Sequence, residues 1–185
     1  MKTLFIISII TFFVNHHSTA CLNFKSLTEV DSSLILKSNK LVEEGDKSFY
    51  MNHNLSAKVY YTEAVKYDSL NIKAYVGLAR VRSEAGDYKN AVILYTKAII
   101  LDSLNDVFFV ERGFYNWSAK NFSAAYKDFS KAIELNPMNS EAYFHRGLLN
   151  HKLLKFDECC EDMYKSQELG GDVQQEEINR FCKTK

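Results

Sequence analysis

The sequence predicts an all-α protein built from a repeated helix–turn–helix unit, and three observations carry that reading. Helix breakers are scarce: Pro137 is the only proline, and there are seven glycines in 185 residues. Apolar residues recur three and four positions apart, the mark of amphipathic helices. Residues of like size also return every 34 positions without insertion. Ala57, Ala91, Ala125 and Cys159 form one small column, and Ala64, Ala98, Ala132 and Ser166 a second. Gly45, Ala79, Gly113 and Gly147 form a third, while Tyr61, Tyr95, Phe129 and Met163 are all large, as are Leu41, Tyr75, Phe109 and Tyr143. Small columns let helices approach closely, and the large ones fill the space between them.

The chain begins with a segment outside this pattern. Leu4 to Val14 is almost unbroken apolar sequence, too short to span a bilayer stably, and it is followed by Ser18-Thr19-Ala20-Cys21. Small residues at Ser18 and Ala20 suit signal peptidase, so residues 1–20 read as a secretory signal peptide. Cys21, directly after the expected cut, has two readings. It is the lipidated residue of a bacterial lipoprotein, tethering the protein to a membrane, or an ordinary cysteine of a secreted chain. Ser18 stands where a lipoprotein signal usually has an aliphatic residue. The expected location is accordingly exported: periplasmic or attached to the outer membrane if bacterial, otherwise secreted.

The segment removes only Lys2, leaving 22 basic residues against 23 acidic. That balance argues against a nucleic-acid surface. Residues 21–37 lead into the first helix, which Asp31 or Ser32 starts and Leu34 and Leu36 lengthen. Units then follow at 38–71, 72–105, 106–139 and 140–171. A break falls inside the later units at Gly86-Asp87, Lys120-Asn121 and Leu154-Lys155, so each unit is two antiparallel helices. Asn71, Asn105 and Asn139 each precede a helix and are placed to accept from its free first-turn N–H groups. Asp68-Ser69-Leu70, Asp102-Ser103-Leu104 and Asn136-Pro137-Met138 are the turns between units. Residues 172–185 form a cap and tail, with a helix over Asp172 to Phe181 that turns Val173, Ile178 and Phe181 inward.

The segments Ala74 to Asn105 and Lys127 to Asn139, the latter reading KDFSKAIELNPMN, resemble the tetratricopeptide repeat. Unit one departs most from that family, with Asn52 and Asn54 in place of the usual turn residues. The resemblance implies a right-handed superhelical solenoid of four units whose first helices line a concave groove. Mapped onto this chain, it turns Val42, Glu43, Asp46, Phe49 and Tyr50 of unit one toward the groove, and Lys73, Val76, Arg80, Ser83 and Glu84 of unit two. In unit three it turns Val107, Val110, Glu111, Phe114 and Trp117 inward, and in unit four Glu141, Phe144, His145, Leu148 and His151. The partner-binding candidates are Phe114, Trp117, Val110, Phe144, Leu148, Arg80 and Phe49, because an exposed strip of aromatic and apolar side chains suits a partner peptide or helix. Val42 and Asp46 depart from the Lys, Asn and Arg clamp with which some relatives grip a C-terminal carboxylate.

The resemblance thus implies a protein–protein adaptor, with no cofactor and no small-molecule substrate. The competing role is a structural subunit of a larger cell-envelope assembly. A thiol- or metal-dependent enzyme is the weakest alternative: His145 and His151 are six apart and face differently, and there is neither a His-Glu-x-x-His string nor a phosphate-binding loop. Cys159-Cys160 is not a Cys-x-x-Cys motif. A metal set of His151, Cys159 and Cys160 remains open at this point. Cys159 sits in a small core column. Cys160 and Cys182 can pin the cap as a disulfide in an exported protein, with Cys159 as the alternative partner and free thiols as the third choice. The stretch from Cys159 to Lys183 also resembles the last repeat of tetratricopeptide proteins from Bacteroidetes-type bacteria. Asn-x-Ser strings at Asn54, Asn116 and Asn121 are glycan acceptors only in a eukaryotic host, and Asn116 falls inside a helix.

Overall fold

The computed structural model describes residues 31–182. Residues 1–20, expected to be a signal peptide, and Cys21 lie outside the described residues. Helix α1 spans 31–50. It is followed by α2 (Asn54–Tyr67), α3 (Ile72–Glu84), α4 (Tyr88–Leu101), α5 (Asp106–Ser118), α6 (Phe122–Leu135), α7 (Ser140–Lys152), α8 (Phe156–Glu168) and α9 (Gln175–Phe181). Among the described residues there is no strand. From α2 on, each helix packs chiefly against its neighbours in sequence, and α5 also touches α7, so the pairs stack into a solenoid.

The packing follows the repeat columns. Ala57, Ala91, Ala125 and Cys159 are fully buried, as are Ala64, Ala98, Ala132 and Ser166. The large column plugs the space those residues leave. Tyr61 is wedged between α1 and α3, where a Cβ on Gly45 or Gly77 would lie 2.6 or 2.4 Å from its ring. Its hydroxyl donates to Asp46 at 2.6 Å, satisfying a buried polar group at the edge of the core.

The turns repeat as well. Within each unit the chain reverses through one residue with positive φ: Asn52 at 64°, Gly86 at 71°, Lys120 at 65° and Leu154 at 62°. Only Gly86 takes that conformation without a Cβ penalty. Between units, the side-chain oxygens of Asp68, Asp102 and Asn136 accept from the backbone N–H two residues on, at 2.9, 3.3 and 3.1 Å. Asn71 and Asn139 then cap their helices, accepting from Ala74 and Ala142. Asn105 does not. Its amide turns to Asp102 instead, while Asp106 in the following first turn accepts from Asn136 and Asn139.

A polar network recurs in units three and four. The Arg112 guanidinium clasps Asp128 with two bonds of 3.1 and 2.6 Å, and Asn116 donates to the same carboxylate at 2.9 Å. Arg146, Asp162 and Asn150 repeat the arrangement 34 residues on. Each arginine also reaches back to a hydroxyl of the preceding unit, Thr96 or Ser130. Both carboxylates are buried, so these bidentate pairs fasten three helices at once. In unit two the corresponding positions are Leu78 and Leu94, an apolar pair in place of the ionic one.

At the C-terminal end α9 covers the last unit. Val173 and Ile178 are buried with Cys159 and Met163, and Phe181 packs against them. A disulfide joins Cys160 on α8 to Cys182, with Cα atoms 5.4 Å apart. Cys159 is a buried free thiol whose ionisation burial pushes up. With Cys160 in a disulfide, His151, Cys159 and Cys160 do not form a metal set.

Candidate partner-binding site

An open cleft of about 500 Å³ lies between the C-terminal halves of α5 and α7, in units three and four. Phe114, Trp117 and Ser118 line one wall from α5, and His145, Leu148 and Lys152 the other from α7. Trp117 and Ser118 follow Phe114 by three and four residues, and Leu148 and Lys152 follow His145 by three and seven, so each set falls on one helix face. Lys120, held in the left-handed turn after α5, and Phe122, the first residue of α6, close the end. Phe114 remains 43 % exposed, a large apolar surface facing solvent. His145 forms the floor, stacked on Phe129 at 5.6 Å and tilted against Phe114 and Phe144.

Three sequence candidates, Phe114, Trp117 and Leu148, therefore meet in one place, and the others do not. Val110 is 2 % exposed inside the core with Phe109 and Phe129, so it offers no surface to a partner. Val42 is likewise buried, and Val76 and Phe144, the remaining members of the same 34-residue column, pack against core clusters. That side packs against an adjacent unit at Val42, Val76 and Val110, and against α8 and the cap at Phe144, which does not line the cleft. Arg80 and Phe49 form a separate pair at units one and two, the guanidinium 4.4 Å above the ring centre.

Sequence reasoning passed over Lys120, Phe122 and Lys152. The signal for Lys152 was available: it lies four residues after Leu148 and one repeat after Ser118, on the same face. Two carboxylates, Glu111 on α5 and Glu141 on α7, stand close enough to interact near the N-terminal parts of these helices. Burial and then the nearby Glu141 raise the Glu111 carboxyl above its ordinary range. His145 lowers that of Glu141, first by hydrogen bonding, against a smaller opposing effect of burial.

The fold and this cleft define a helical-repeat solenoid with an open inner surface. Residues 72–103 match the family model described as Tetratricopeptide repeat, and the fold of the described residues is similar to that of solved tetratricopeptide-repeat structures. Among solved structures, MamA from Desulfovibrio magneticus RS-1 superposes with a TM-score of 0.70 at 16% identity, covering 79% of this chain and 81% of that one. Pseudomonas aeruginosa pilF gives 0.69 at 22%, covering 81% and 68%. The first repeat domain of Spaghetti (RPAP3), solved with the HSP90 peptide SRMEEVD, gives 0.62 at 22%, covering 65% and 95%. At these identities the likeness is one of fold. No curated protein matches the chain by sequence.

Proposed function

We propose that this chain is a protein-binding adaptor whose partner seats an apolar side chain in the cleft between α5 and α7. The observation that carries this is the wall made by exposed Phe114 and half-buried Trp117 and Leu148 around a cavity large enough for one bulky residue. Each wall comes from a rigid helix, so binding requires little reorganisation of the site. The Spaghetti domain, bound to a peptide on a related scaffold, supports the same use of the fold. Binding rather than catalysis is the role, since mechanism here is surface complementarity. The apolar run before Ser18-Thr19-Ala20-Cys21 supports export of the chain, with Cys21 as a lipid anchor. Mass spectrometry of the mature N-terminus reads that point directly.

Selection from a random displayed-peptide library tests the cleft. Peptides enriched on the wild-type chain should lose binding by about tenfold or more on Phe114→Ala/Trp117→Ala, with helicity by circular dichroism unchanged. Binding retained by that variant places the partner on another face and removes the proposal.

A further inference from the structure

Phe122 separates the cleft from a second hollow. On its far side lies a cavity of about 310 Å³ lined by Phe122, Ser123, Tyr126, Lys127, Leu153 and Lys155. The two adjoin at Phe122 and sit at the edge of units three and four where the chain turns within each unit.

The charge here is one-sided. The linings contribute Lys120 and Lys152 on the first side and Lys127 and Lys155 on the second, and no carboxylate. Among the described residues none of the four lysines has a carboxylate within ion-pair distance. Lys155 instead stands 5.3 Å above the Tyr126 ring. The whole chain is balanced at 23 basic and 23 acidic residues, so this concentration is local. Further along the inner surface the sign reverses at Glu111 and Glu141. A chain of carboxylates entering the first cleft is repelled in that direction and attracted across the edge.

We propose that the two hollows form one track for an acidic peptide with two bulky apolar side chains. One side chain seats against Phe114, Trp117 and Leu148 and the other against Tyr126 and Leu153, while the carboxylates lie over the four lysines. This rests on the reading of the cleft as the partner site and adds the partner's chemistry and its path. Two open but concave hollows fit side chains of a peptide better than they fit a flat lipid surface.

Trp117 is the only tryptophan, so its emission reports occupation of the first hollow. The probes are three synthetic peptides, blocked at both ends, with leucine and phenylalanine set among glutamates, glutamines or lysines. The acidic probe should shift Trp117 emission and bind about tenfold more tightly than the glutamine probe, with an advantage that shrinks as salt rises. Lys127→Gln/Lys155→Gln, which leaves the first hollow intact, should weaken the acidic probe about fivefold and leave the glutamine probe unchanged. If the glutamine and lysine probes shift Trp117 as strongly as the acidic one, the acidic preference is overturned and the cleft stands as the partner site. If no peptide shifts it but phosphatidylglycerol vesicles do, the track and the cleft reading both fall, and the edge is a membrane surface.

Discussion

Leu154 holds a left-handed backbone while its side chain is 74 % exposed. The conformation costs a Cβ-bearing residue about 1 kcal/mol or more, and no packing offsets it there. Leu154→Gly should therefore stabilise the protein by about 1 kcal/mol net, read as a higher denaturation midpoint. The buried carboxylate of Asp128 makes the opposite case. Asp128→Leu leaves the Arg112 guanidinium and the Asn116 amide without their acceptor and should cost about 3 kcal/mol in denaturant unfolding. Arg112→Leu/Asp128→Leu should cost less than Asp128→Leu alone. Unit two already carries leucine at both positions, which shows that this brick accepts an apolar pair there.

At the scale of elements, α9 is the part that depends on something other than its own sequence. Seven residues are too few for a stable helix, and it is held by Val173, Ile178 and the Cys160–Cys182 disulfide. Cys182→Ser should lower stability by about 3 kcal/mol and raise hydrogen exchange first in α8 and α9. The inward residues of this cap were legible in the sequence because Val173, Ile178 and Phe181 recur at helical or turn spacing. The repeat columns were legible because a 34-residue register fixes which residue meets which. Two things were not. Arg112 and Asp128 lie 16 residues apart on different helices, and each alone reads as a solvated charge. Val110 was misplaced because helix periodicity gives a face without saying what covers it. A sign was nonetheless present: the column Val42, Val76, Val110 and Phe144 is apolar in every unit, as a packing surface requires. The column Asp46, Arg80, Phe114 and Leu148 changes chemistry from unit to unit, as a binding surface is free to do.

Across the described residues, stability is a chain of neighbour contacts, with the buried side chains divided among four clusters along the stack. Unit three buries Phe109, Phe129 and Ala132 in one cluster with Ala142 and Leu149 of unit four. Arg146 of unit four also reaches back to Ser130. Removing a unit therefore exposes the face of the one before it and takes away one wall of the cleft. Guanidinium unfolding of a chain that ends at Asn139, set beside the full chain, measures this coupling. The stacked-unit account predicts a clearly lower midpoint for the shortened chain although units one to three keep all their own residues. An unchanged midpoint would contradict it, because each unit would then be stable without its neighbour.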